Sequence, residues 1–333
     1  MLKHYTIPIF IPELACPFQC VFCNQVKISG QQNIPQQDEI INTIESYLAT
    51  FKIAEKVVEL GFFGGSFTGL PIEEQRRYLK IVESYIISGE IQGIRLSTRP
   101  DYINAEILNM LSEHHVTTIE LGAQSFDDDV LKQSRRGHNA EQIEHASAAI
   151  LKNGFNLGLQ MMIGLPGDTL EKSIFTAKKI ISSESQCARI YPAVVIKDTL
   201  MHQWYNMGKY KPLSLEIAVE WTKQILPLFE TAGVKVIRVG LHPSEGLVSG
   251  EELVDGPFHP SFKELVITEI WKDLLAPLLN NDINGNIEIC VPQNELKYAI
   301  GYSSSNKKML LKKFNSVKFV ADASVPNRSF KIR

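Results

Sequence analysis

The 333-residue chain has no apolar run approaching the ~20 residues that a membrane-spanning helix needs. Its opening residues lack the order of charged region, apolar core and small-residue cleavage site that marks an export signal. Cysteine is scarce, five in all, and an odd number clustered at one point does not build a disulfide framework. A reducing, cytoplasmic setting without a membrane partner is the expectation. Charge of either sign is not in large excess, with a net of −3. What is present is 44% hydrophobic residues, enough for one large α/β domain with an appendage, or for two domains.

The small net charge conceals an asymmetry. From position 286 to the end there are nine Lys or Arg against three acids, a net of +6 that leaves −9 for the preceding residues. A basic tail on an acidic body points toward nucleic acid, and equally toward a solvated helix surface.

Three of the five cysteines, Cys16, Cys20 and Cys23, stand at C-x3-C-x2-C directly after the apolar run 7–11. They therefore belong to the loop after a first strand. A structural zinc takes four ligands, usually as two separated pairs, and neither His4 nor Asp38 completes such a pattern. A 4Fe–4S cluster on three thiolates leaves one iron open for another ligand. Buried thiols or a zinc knuckle is the plain alternative. Cys187 and Cys290 are isolated and read as packing residues.

Strand-like and helix-like segments alternate over the first 240 residues. Strands are expected at 5–11, 56–63, 91–98, 116–122, 156–163, 188–196 and 234–239. Helical stripes fall between them, as at 38–56, 71–87, 140–153 and 215–231. That order predicts a parallel sheet with right-handed crossovers. The fold class is α/β: a partial (β/α)6-type TIM-like barrel over 1–240, a loop and helix covering its mouth over 241–285, and a basic βααβ extension over 286–333. Chemistry on such a barrel gathers at the C-terminal ends of the strands. The distinctive residues do recur there: Gly64-Gly65-Ser66, Ser97 to Tyr102, Gln124-Ser125-Phe126 with Arg136-Gly137-His138, Gly164-Leu165-Pro166-Gly167, and Tyr191-Pro192.

This set resembles the radical S-adenosylmethionine (SAM) superfamily over roughly residues 5–240. Thr98-Arg99-Pro100-Asp101-Tyr102, Arg136-Gly137-His138 and Ile190-Tyr191-Pro192 are similar to the radical domain of the Elongator catalytic subunit. Gln124-Ser125-Phe126 and Gly164 to Gly167 resemble oxygen-independent coproporphyrinogen III oxidase. The resemblance implies a 4Fe–4S cluster on Cys16, Cys20 and Cys23 whose fourth iron chelates SAM. One electron from the cluster then gives methionine and a 5′-deoxyadenosyl radical. An electron donor such as flavodoxin or ferredoxin is implied as a partner. Gly64 and Gly65 would admit the methionine amino group, with Ser66 standing where the family often has an acid. Arg136 would meet the methionine carboxylate, Gln124 and Ser97 the ribose, and the turn from Gly164 the adenine. A surface ion pair is the alternative for Arg136.

Two departures narrow the reading. Gln25 occupies the place of a further cysteine in the coproporphyrinogen oxidase pattern, which weakens a tetrapyrrole substrate. The acetyltransferase domain that follows the radical domain in Elongator is not expected in a chain of this length. The Gly/Pro-rich stretch from Leu241 to Pro260 reads as a substrate lid with His242, Glu245 and His259, or simply as a connection. The tail order, with a loop from Gly301 to Ser304, is similar to the core of a KH domain. Lys307, Lys308, Lys312 and Lys313 would then contact phosphates. The function expected is a radical SAM enzyme that modifies a nucleoside in tRNA or rRNA. The alternatives are a radical SAM enzyme acting on a small molecule such as a tetrapyrrole, and a non-catalytic iron–sulfur RNA-binding or sensing protein.

Overall fold

Side chains along successive strands of the main sheet separate into an apolar face and a polar one, and this decides the architecture. The computed structural model describes residues 3–11, 20–24, 27, 33–51 and 56–333. In chain order the strands are β1 (Lys3–Ile11), β2 (Lys56–Gly64), β3 (Gly93–Thr98), β4 (Val116–Gln124), β5 (Asn156–Ile163) and β6 (Cys187–Pro192). There follow β7 (Val195–Ile196), β8 (Lys235–Val239), β9 (Leu253–Asp255), β10 (Asn286–Val291), β11 (Ser316–Ala321) and β12 (Lys331–Ile332). Strands β1 to β6 and β8 form one seven-stranded parallel sheet in chain order. β1 and β8 are its edges, so it is a partial TIM-like barrel, as the alternating segments predict.

The face toward the helices is aliphatic: Ile7, Ile9 and Ile11, then Val58, Leu60 and Phe62, Ile94 and Leu96, and Leu157, Leu159, Met161 and Ile163, all buried. These pack under amphipathic helices whose starts are set by side-chain caps. Asn104, Asp127, Asn139, Thr169, Thr199 and Ser214 each accept a hydrogen bond from the third backbone N–H that follows.

The other face carries charge. Glu120 of β4 is 1% exposed and lies between two guanidiniums, Arg95 at 2.8 Å and Arg189 at 2.5 and 2.9 Å. Arg95 also holds Glu59 at 2.8 Å, and Gln160 donates to both Glu120 (3.4 Å) and Ser97 (3.3 Å). Burial alone would raise the Glu120 carboxyl, but Arg189 and Arg95 hold it below the ordinary range. The concave face is therefore a fixed polar wall rather than an aliphatic plug.

The structure adds to or departs from the expected elements at four points. The strand expected at 188–196 breaks at Pro192, which has no N–H to continue the ladder; β7 then turns away and pairs antiparallel with β9. That pairing also means the stretch from Leu241 to Pro260 is not a bare loop, since it holds β9 and a short helix, Glu245–Val248. The helix expected over the mouth, Phe262–Leu275, packs against the helix Leu215–Thr231, against β8 and against the tail helices. The tail has the expected βααβ order, with β10 parallel to β11, and gains β12 antiparallel to β10.

Replacing Glu120 with Leu is expected to cost about 3–5 kcal/mol, because it leaves Arg95 and Arg189 buried against each other without their shared anion. Urea unfolding followed by circular dichroism measures this, and an unchanged midpoint would contradict a stabilising role for the network.

Candidate functional site

Residues from the ends of β2, β3 and β4 converge with the cysteine loop on one cleft. It is lined by Cys20, Cys23, Gly64, Gly65, Ser66, Ser97, Thr98, Arg99, Gly122, Gln124, Arg136 and Gln160. Cys16 lies outside the described residues. The loop is pinned from two sides: Val21 N–H donates to the Ser134 carbonyl at 3.2 Å, and Met201 N–H to the Val21 carbonyl at 2.7 Å. Buried Val21 and Phe22 anchor it against Leu165, Val195 and Tyr210.

Gly64 has a φ of +107°, and a Cβ there would lie 2.4 Å from the Ile11 carbonyl oxygen. Only glycine lets β1 and β2 end side by side with the Gly65 N–H on that same carbonyl at 3.0 Å. Gly122 serves the opposite wall, where a Cβ would stand 3.1 Å from Gln124 Nε2 and 3.3 Å from an Arg136 terminal nitrogen.

Cys20 is buried, and two guanidiniums aim at its sulfur: Arg136 at 3.1 Å and Arg99 at 3.9 Å. Arg136 also donates to the Gly122 carbonyl at 2.5 Å. Two buried polar atoms on the cleft walls, Gln124 Oε1 and Arg136 Nε, have no hydrogen-bond partner among the described residues. Such atoms are costly when left unsatisfied, so they mark where a polar ligand would be held. Gln124 also sits at φ +67°, an uncommon backbone state for a residue other than glycine.

Behind the cysteine stands a buried ion pair. Arg99 meets both oxygens of Asp101 at 2.9 Å, and His138, whose side chain is fully buried, lies 3.7 Å from the same carboxylate. Burial would push the Asp101 carboxyl up, but His138 and Arg99 bring it down to about 2. Burial holds the imidazole of His138 below its usual range, and the cations Arg136 and Arg99 add to that.

The residues singled out in the sequence divide into those the fold brings together and those it does not. Gly64, Gly65, Ser66, Ser97, Gln124 and Arg136 share the cleft with Cys20 and Cys23. The Ser66 hydroxyl is engaged with Thr98 Oγ1 at 2.8 Å and with the Arg99 N–H at 3.2 Å. Gly164 is not among the lining residues; its N–H is held by Asp168 at 2.8 Å, and its carbonyl accepts from the Tyr210 hydroxyl at 2.7 Å. His242, Glu245 and His259 do not line the cleft either. His259 Nδ1 accepts the Ser261 N–H at 3.0 Å, and its ring meets Tyr302 edge-on at 5.5 Å.

In the tail, Lys313 is committed to the carbonyls of Leu278 and Asn281 and is withdrawn from any phosphate role. Lys307, Lys308 and Lys312 make no ion pair among the described residues. Gln160, Gly122, Glu120 and the two arginines that hold it had not been picked out. Their signal is a polar or glycine residue at every second position of an otherwise apolar strand.

The Radical SAM superfamily pattern matches residues 11–180, just over half of the chain, and a Radical_SAM C-terminal domain matches residues 185–272. The chain belongs to the radical SAM superfamily. Family membership makes it an enzyme and implies a 4Fe–4S cluster, SAM and an electron donor. A tRNA uridine(34) acetyltransferase of Dehalococcoides mccartyi is 24% identical over 62% of this chain and 52% of its own length. Elongator complex protein 3 of Saccharomyces cerevisiae is 27% identical over 51% of this chain and 34% of its own. The chain thus matches about half, or less, of the length of these curated relatives. Among solved structures, the archaeal Methanocaldococcus infernus Elp3 superposes with a TM-score of 0.62 at 20% identity, covering 82% of this chain and 64% of that one. That likeness supports the fold. No helix among the described residues is long and apolar enough to cross a membrane.

The Asp101 carboxyl supplies a pH dependence. Its folded value of about 2 lies below the ordinary 3.8, so its stabilisation is present above about pH 4 and is lost as pH falls toward 2. About 2 kcal/mol is expected to disappear across that window in the wild type and not in Asp101→Asn, read by urea unfolding of the cluster-free proteins at stepped pH.

Proposed function

We propose that the cleft holds one 4Fe–4S cluster on Cys16, Cys20 and Cys23, with SAM on the cluster's open side. The donor set suits the group: thiolates on one short loop, glycines on the facing wall, and two unsatisfied polar atoms between them. In this reading Arg136 turns its guanidinium to the methionine carboxylate, a charge-assisted contact. Gln124 takes a ribose hydroxyl through its unpartnered Oε1, with Ser97 beside it. The backbone at Gly64 and Gly65 receives the methionine amino group, and the turn from Gly164 lies toward the adenine. Ser66, its hydroxyl already shared with Thr98, contributes through its backbone. When bound, the cluster supplies the electron that cleaves the sulfonium to methionine and a 5′-deoxyadenosyl radical. The protein's share is to orient the cofactor and to exclude water.

The substrate we infer is RNA, with the modified nucleoside in tRNA or rRNA. The observation that carries this is the similarity to proteins named for tRNA uridine(34) acetylation and for Elongator. The side chains of Lys307, Lys308 and Lys312 on the tail are the phosphate contacts in this reading. A one-electron donor of the flavodoxin or ferredoxin kind and a cytoplasmic location accompany it.

Two measurements test these assignments. Gly122→Ala crowds Gln124 and Arg136 and is expected to weaken SAM binding to the loaded protein at least tenfold, about 1.4 kcal/mol, by equilibrium dialysis. Binding at wild-type strength would remove those two residues from the cofactor site. Anaerobic turnover with dithionite is expected to release 5′-deoxyadenosine, at least tenfold faster with cellular tRNA or rRNA than without. Nucleoside mass spectrometry of the treated RNA would then show a mass shift. Turnover that no RNA accelerates, together with unaltered nucleosides, would turn the substrate reading toward a small molecule.

A further inference from the structure

Arg99, Asp101 and His138 have no place among the proposed cofactor contacts, yet they form a buried assembly against a cluster ligand. Arg99 leaves β3 4% exposed and spends its fork on Asp101, with Nε and one terminal nitrogen each at 2.9 Å from a carboxylate oxygen. That terminal nitrogen also donates to the carbonyl of Arg136. The other terminal nitrogen faces Cys20 Sγ at 3.9 Å.

Asp101 is placed by local chain geometry. Pro100 opens a single 3-10 turn, Pro100–Tyr102, in which the Tyr102 N–H returns to the Arg99 carbonyl at 3.3 Å and the Ile103 N–H to the Pro100 carbonyl at 3.2 Å. This folds the Asp101 side chain back onto its own Arg99. His138, from the loop just before the helix Ala140–Lys152, packs 3.7 Å from the same carboxylate. A salt bridge that merely closed this turn would need only the Arg99–Asp101 fork. Here the fork also aims the remaining nitrogen at sulfur.

We propose that Arg99, oriented by Asp101, is a positioning residue for Cys20 and sets the reduction potential of the cluster. An N–H donor and a positive charge at a ligating sulfur stabilise the reduced cluster, which carries one more negative charge, over the oxidised one. The electron itself comes from the external one-electron donor that the enzyme class requires. Arg99 changes only how readily the cluster accepts it. The inference rests on the family's cluster and not on the identity of the substrate.

The test is a mediated redox titration of the loaded holoenzyme, followed by electron paramagnetic resonance of the reduced cluster, with neither SAM nor RNA present. Arg99→Met is expected to lower the ratio of reduced to oxidised cluster at fixed potential at least tenfold, equivalent to 59 mV for one electron. Arg99→Lys, which keeps the charge but not the fork, is expected to recover at least half of that shift. A loaded Arg99→Met protein with the wild-type midpoint and spectrum would overturn the proposal. Should Arg99→Met fail to retain iron, Arg99→Gln and Arg99→Lys decide: the charged variant must be reduced at least threefold more readily, and equal midpoints overturn the idea. Because no RNA enters the titration, failure of the RNA reading leaves this result intact, and the converse also holds.

Discussion

A parallel sheet that curls must fill its concave side, and here it does so with charge. Glu120 is the centre of that arrangement. It is almost completely buried, and it is tolerable there only because Arg95 and Arg189 close on it from both sides. The side chains along this wall are long, polar and mutually fixed, so the lumen keeps its shape without the layered aliphatic packing of a closed barrel. Gln160, bonded to both Glu120 and Ser97, links the wall to the cysteine cleft. The floor of the site and the stability of the sheet are thus one network.

Above that floor the cleft is built by subtraction. Gly64, Gly65 and Gly122 remove side chains where β2 and β4 end, and the left-handed backbone at Gly64 lets β1 and β2 terminate together. The space so gained is faced by polar atoms that find no partner among the described residues, Gln124 Oε1 and Arg136 Nε. Desolvated and unsatisfied groups are a stability cost that the rest of the fold must offset, and they are retained where a ligand recovers the energy. The second guanidinium near Cys20, that of Arg99, differs in kind because Asp101 fixes its orientation.

How much of this was legible in the sequence follows from the range of the interactions involved. The seven main strands and the residues at their ends could be read because alternation of strand and helix is a local pattern that leads to one topology. Gly64-Gly65, which alone signals only a tight turn, was legible because distinctive residues recur at the same end of successive strands. Glu120 and its two arginines were not, since alternation shows only that one face is polar, and their meeting depends on the register of four strands. The pairing of β7 with β9 was hidden for a similar reason: it joins two very short segments more than fifty residues apart. The placement of His259 against Tyr302 likewise depends on how the tail docks.

The basic tail shows most clearly why composition cannot replace geometry. Its nine cations implied a charged surface, yet several are neutralised within the protein. Lys297 pairs with Glu264 at 2.6 Å, Lys318 with Glu288 at 2.8 Å, Arg333 with Asp322 at 2.8 Å, and Arg328 with both Glu230 and Glu295. Lys313 is taken up by carbonyls at the end of the preceding 3-10 turn. Arg328 reaches back to the helix Leu215–Thr231, so its pairing helps to dock the tail on the barrel. Much of the charge that invites an RNA reading therefore holds the tail in place. What remains for a polyanion, among the described residues, is Lys331 and the short run Lys307, Lys308 and Lys312, on or just after the second tail helix. Four lysines without an ion pair would give a polyanion only a weak, salt-sensitive attraction, and one that chooses no base. In the proposed RNA reading, selection of a nucleoside would therefore fall to the polar wall of the lumen, beside the cleft proposed for the cofactor.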